Sequence, residues 1–120
     1  MTQTFPIGHI QTVRIRYYRS GRGDEPVRDY LAALPAHDRD AWDEALTLLG
    51  IFGVEAPVSL RQLRGKLWEI RVGRHRVAYV LISGPEMVLL HAFKKQGQRT
   101  RQQDLDLALK RAKDVLGGPI

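Results

Sequence analysis

Residues 63–95 constrain the fold more than any other part of this 120-residue chain. Leu63-Arg64-Gly65-Lys66-Leu67-Trp68-Glu69-Ile70-Arg71-Val72 is followed by Gly73, then Arg74-His75-Arg76-Val77-Ala78-Tyr79-Val80-Leu81-Ile82, and Met87 to Lys95 completes the run. Apolar residues alternate with basic ones, which reads as three consecutive β-strands. Val72-Gly73-Arg74 is a tight turn, with glycine free to take positive φ, and Ser83-Gly84-Pro85-Glu86 is a second. Turns this short join antiparallel neighbours, so a meander is expected.

Period two divides each strand into two faces. Trp68, Ile70, Val77 and Leu81 are expected to pack inward, and Glu69, Arg71, Arg74 and Arg76 to face solvent. Met87 to Leu90 is apolar on both sides, as in a central strand covered on both faces. Its exit carries His91, Lys94 and Lys95.

The rest of the chain supplies a cover for this sheet. Gln11–Arg19 alternates Val13, Ile15 and Tyr17 with Arg14, Arg16 and Tyr18, which predicts a first strand. Asp24 is a candidate N-cap and Pro26 suits a first helical turn; Val27, Tyr30, Leu31 and Leu34 then recur at helical spacing up to Pro35. A second helix is expected over Ala36–Phe52, with Trp42, Ala45, Leu46 and Leu49 on its stripe and Gly53 at its end. Val54–Ser59 reads as a linker. Thr100 and Gln103 fit a capping box for a last helix, Asp106 and Lys110 an i,i+4 pair on it, and Gly117-Gly118-Pro119 its end. The order is β-α-α-β-β-β-α. This is an α+β class, with a small, curved, mostly antiparallel sheet, a helical hairpin on one face and a C-terminal helix. One domain over 1–120 is expected, with residues 1–10 flexible.

Charge narrows the function. Net charge is +6 overall, but residues 1–60 sum to −2 and residues 61–103 alone to +8. A positive field gathered on the sheet and the loop after it favours a polyanionic or acidic partner. There are no cysteines, hence no disulfide framework or thiolate metal site, which fits a cytoplasmic protein. No signal peptide or membrane span is visible. No HExxH, paired-aspartate or Cys/His spacing suggests a metal or cofactor.

Cationic strands suit phosphodiester chemistry. Guanidinium groups bind phosphate bidentately and stabilise the charge that grows at phosphorus in the transition state. RNA brings its own nucleophile, the 2′-hydroxyl, so an enzyme needs a proton acceptor, a proton donor and cations. The candidates for catalysis are Arg76, His91, Lys94 and Lys95. Arg64, Lys66, Arg71, Arg74 and Arg99 are candidates for RNA binding. As a solvent-facing strand residue, Arg76 is expected to tolerate alanine with little loss of stability.

The ordered set Leu63-x-Gly65-x-Leu67-Trp68-Glu69-Ile70-Arg71, Arg76-Val77-x-Tyr79, Val88-x-Leu90-His91-x-Phe93-x-Lys95 and Ala108-x-x-Arg111 resembles the phage-derived Gp49-like, HigB-like branch of the RelE/ParE toxin superfamily. Gly23-x-Glu25-Pro26-Val27 and Leu34-Pro35 also fit, so the resemblance spans residues 12–116. It implies the toxin of a type II toxin–antitoxin system that cleaves translated mRNA on the ribosome without metal. It also implies a cognate helix-turn-helix antitoxin, and with it a toxin–antitoxin hetero-oligomer. Arg76 matches the family's phosphate-binding arginine, and His91, Lys94 and Lys95 its basic cluster. The sequence departs from the family pattern in its short turn at Gly73 and in Lys94-Lys95-Gln96 with no following proline. Two other readings share the fold: a ParE-like inhibitor of DNA gyrase, and a non-enzymatic module that only binds an antitoxin.

Overall fold

A computed structural model describes residues 12–120. The expectation for residues 1–10 lies outside them, as does His9. The elements are β1 (Arg14–Tyr17), α1 (Pro26–Ala32), α2 (Ala36–Phe52), a 3-10 turn (Gly53–Glu55), β2 (Ser59–Arg64), β3 (Leu67–Val72), β4 (His75–Ile82), β5 (Glu86–Lys94) and α3 (Gln102–Leu116). The five strands form one sheet in the order β1-β5-β4-β3-β2. β2 to β5 are an antiparallel meander, and β1 returns to lie parallel to β5.

The meander has one strand more than expected. The segment read as a linker and a strand start is the hairpin β2–β3, broken at Gly65. Gly65 has φ +53°, and a β-carbon there would come within 2.8 Å of Ile120, so the turn requires glycine twice over. Gly73 turns β3 into β4 with φ +59°.

Both faces of the sheet are covered. On one, α1 and α2 lay Val27, Leu31, Trp42 and Leu49 on Ile70, Val77, Tyr79, Met87 and Leu89. On the other, Ala108 and Ala112 of α3 lie against Leu67, Ala78, Val80, Val88 and Leu90. Small residues on α3 let its axis approach the strands closely. β5 lies inside the sheet between β1 and β4, and its apolar run Met87–Leu90 is buried on both sides.

The extent of this cover corrects four burial expectations. Glu69 and Arg76 are buried, not solvent-facing, because their face lies under α3 and the loop before it. Trp68 and Leu81 lie on the α1–α2 face but are 37% and 42% exposed, where that cover is incomplete. Helix starts differ too. Glu25 and Arg101, not Asp24 and Thr100, hold the N-cap positions of α1 and α3, and neither makes a side-chain cap bond. The Thr100–Gln103 box is therefore not formed. Asp106 takes its hydrogen bond from Gln102 Nε2 at 2.7 Å rather than pairing with Lys110.

Candidate functional site: a basic groove beneath the start of α3

The strand register builds the floor of the site. On the α3 face, Arg61, Glu69, Ala78 and His91 form one row across β2, β3, β4 and β5. Arg71, Arg76 and Phe93 form the next row across β3, β4 and β5. Cross-strand neighbours in a row are ~4.5–5.5 Å apart, so Arg71 and Arg76 are forced side by side. Ala78 leaves a gap in the first row. The wall is the segment Lys95–Arg101 and the first turn of α3, which contributes Asp104.

The groove between floor and wall is lined by Arg61, Glu69, Arg71, Arg76, Lys94, Lys95, Arg99 and Arg101, among others. Five of the residues expected from sequence thus meet: Arg71, Arg76, Lys94, Lys95 and Arg99. Arg74 is exposed and lines an adjoining groove with Arg76, Lys94 and Lys95. Arg64 and Lys66 are exposed at the β2–β3 turn, about 13 Å down β3 from Arg71, and neither lines either groove.

Arg76 is held by backbone carbonyls at the turn just before it. Its Nη1 donates to Gly73 O at 3.0 Å and to His75 O at 2.9 Å. That fixes the guanidinium plane and leaves the rest of its donor fork for an anion. Burial lowers its pKa, and nearby Arg71 lowers it further, against the opposing charge of Glu69.

His91 is placed differently from the lysines. Its Nε2 donates to Asp104 Oδ1 at 2.8 Å, and its ring stacks on Phe93 at 5.3 Å. Arg101 Nε donates to the other oxygen of Asp104 at 3.2 Å. His91 therefore ties β5 to α3 and, through Asp104, to the loop. Burial pushes its pKa down although Asp104 favours the charged form.

Sequence reasoning did not find Arg61, Glu69, Arg101 or Asp104 as site residues. Arg61 was hidden because it falls between the Val54–Ser59 linker and the strand run that starts at Leu63, where β2 has no alternation to mark it. Glu69 read as a solvent-facing strand residue, whereas its side chain is 3% exposed. Burial raises the Glu69 pKa, against the lowering effects of Arg76, Arg71, Arg61 and the Thr100 hydroxyl. His75 is buried on the opposite face, with Nδ1 2.7 Å from Tyr30 Oη. Among the described residues no cluster of metal-ligating side chains occurs, and no helix is long and apolar enough to cross a membrane.

A helical pair and a C-terminal helix enclosing a five-stranded sheet, with a cationic groove at one end, are compatible with the class of small RelE-like toxin folds. The family model for phage-derived protein Gp49-like (DUF891) matches residues 29–113. The chain belongs to that family, which is part of the RelE/ParE-like toxin superfamily. Membership points to the toxin module of a toxin–antitoxin system and to an antitoxin as its partner. No curated protein matches the sequence.

Proposed function

We propose that the protein is an endoribonuclease toxin that cuts translated mRNA in the cytoplasm, with the groove as its phosphodiester site. The observation that carries this reading is the convergence of Arg71, Arg76, Lys95 and Arg99 on one groove. So many cations gathered at one place, two of them on rigid adjacent strands, are suited to the charge that develops on phosphorus during in-line attack. Arg76 binds a non-bridging phosphate oxygen through its free edge. Arg71 and Arg99 hold the flanking backbone, with Arg74 at the rim extending the track. Arg64 and Lys66, at the far end of β3, contact RNA only if the strand runs along the sheet. Lys94 and Lys95, which line the groove, are the proton donors this reading assigns to the leaving 5′-oxygen. His91, engaged by Asp104, acts as a support. No metal is needed for these steps, since the nucleophile is the substrate's own 2′-hydroxyl.

The test is induced expression without the antitoxin, followed by mapping of message ends. Growth arrest with cuts inside translated messages is expected, along with cleavage by purified protein on programmed ribosomes. Arrest with intact messages and an SOS response would move the assignment to a gyrase poison. Full viability with abundant folded protein would leave only an antitoxin-binding module.

A further inference from the structure

β5 changes face partway along its length. Met87 and Leu89 pack with α1 and α2, and Val88 and Leu90 pack with α3. Strict alternation would return His91 to the α1–α2 side and send Ala92 to the α3 side. The opposite is found. His91 Nε2 lies 2.8 Å from Asp104 Oδ1 of α3, Phe93 lines the groove, and Ala92 packs with the α1–α2 core. The switch is a β-bulge. Tyr79 pairs with Leu89 and Ala78 with His91, so Leu90 is an extra residue with no partner across β4. The β1–β5 pairing ends at the same point, with Tyr17 opposite Leu89. The bulged residue is gripped from α3, where Arg111 Nη1 donates to Leu90 O at 2.8 Å. The same guanidinium lies 5.2 Å from the centroid of the Tyr18 ring, and Tyr18 Oη donates to Asp114 Oδ2 at 3.0 Å. Arg111 is thus fixed by the end of β1 as well as by β5. It lines neither groove.

We propose that Arg111 is a positioning residue of the groove: by binding the Leu90 carbonyl it holds the bulge, and the bulge turns His91 and Phe93 to the groove side of β5. For the groove's chemistry this rests on the nuclease reading above. The competing arrangement is a regular ladder running on from Tyr79–Leu89, in which Ala78 faces Leu90 and Val77 faces His91. A one-residue slip moves every later side chain to the other face. His91 would leave Asp104, and Phe93 would leave its place opposite Arg76. Asp104 would then hold only Arg101. A charge-assisted bond to the carbonyl of the extra residue favours the bulged ladder over the regular one. Two contacts from α3, about two turns apart on the helix, meet adjacent residues of β5: Asp104 at His91 and Arg111 at Leu90. The second sets the register that makes the first possible.

The experiment compares wild type with Arg111→Met, which keeps the stem but removes the donor, and Arg111→Lys, which restores a cationic donor. Backbone NMR reads the β4–β5 pairing from cross-strand proton contacts, and programmed ribosomes read message cleavage. In Arg111→Met the Ala78–His91 pairing is expected to give way to Ala78–Leu90, with loss of the contact between the His91 ring and the first turn of α3. Cleavage is expected to fall on the order of 10²-fold, the size of effect that a small misplacement produces. Binding of a short oligoribonucleotide should fall less, because Arg71 and Arg76 lie on β3 and β4, which do not slip. Arg111→Lys should recover native pairing and most of the cleavage together. Native pairing in Arg111→Met overturns the proposal whatever its cleavage, and so does a changed pairing with wild-type cleavage. If Arg111→Met does not fold, Arg111→Lys decides: pairing and cleavage that are both native or both changed support the role, and either one changing alone overturns it. Wild-type protein that leaves ribosome-bound messages intact overturns the nuclease reading, while the pairing measurement, which needs no activity, still decides whether Arg111 holds the bulge.

Discussion

His91 Nε2 lies 2.8 Å from Asp104 Oδ1, joining the end of β5 to the first turn of α3. Asp104 holds Arg101 with its other oxygen, so one buried carboxylate fixes a strand, a helix start and the loop between them. The end of the loop that carries Arg101 into the groove is held by that anchor. Replacing Asp104 with Asn keeps the shape but removes the charge from both hydrogen bonds. Such charge-assisted bonds are worth ~1.5–3 kcal/mol. Asp104→Asn should lose stability of that order in urea unfolding and bind RNA more weakly through a loosened loop.

The same pair makes stability depend on pH. Burial, with a smaller push from Arg111, outweighs Asp104 and holds the His91 pKa below that of a free histidine. The unfolded chain therefore binds the proton first on acidification. The His91 contribution is complete above a pH of about 6.5 and is lost as pH falls below it. Urea midpoints measured from pH 8 to 5 should fall more in wild type than in His91→Gln, and the difference between the two isolates this histidine.

Arg76 is both structural and functional. Its two backbone bonds and its burial overturn the expectation that alanine is tolerated there. Arg76→Ala should cost about 1.5–3 kcal/mol, because two carbonyls lose a charged donor. Arg76→Lys should recover little of this, since an ammonium does not reproduce the planar fork. Chemical denaturation together with growth arrest on expression separates the two effects. A stable Arg76→Ala protein with full toxicity would remove Arg76 from the site.

Glu69 carries a stability cost. With its pKa raised by burial, folding disfavours its ionised form, a penalty that is absent at low pH and in full force once pH exceeds the folded value. Glu69→Gln, uncharged and of the same shape, should melt a few degrees above wild type at neutral pH. A lower melting temperature would show that its pairing with the arginines outweighs its burial.

RNA binding should be strongly salt-dependent. If Arg71, Arg76, Lys95 and Arg99 each neutralise one phosphate of a single strand, log affinity should fall with log salt at a slope of about −3. Filter binding between low and physiological salt measures it. A flat response would show that the groove is not the contact surface.

Local pattern was enough to read the helices and most of the sheet. The apolar stripe of Ala36–Phe52 matches α2 at both ends. The β3–β4 turn at Gly73 and the doubly covered Met87–Leu90 also stand as read. These follow from local periodicity and backbone freedom, which residues close in sequence set among themselves. The convergence of charge on residues 61–103 was equally legible, since composition does not depend on folding. Tertiary structure decided the rest. Ser-Leu-Arg-Gln-Leu-Arg has no alternation of its own, and it becomes a strand because β3 offers it an edge to pair with. Period two assigns Glu69 and Arg76 to one face, but only the docking of α3 and the Lys95–Arg101 loop makes that face dry. His91 and Asp104 are 13 residues apart, and nothing local aims one at the other. Burial and pairing between distant elements are properties of the packed molecule, and here they turn a basic strand surface into a groove with a carboxylate at its base.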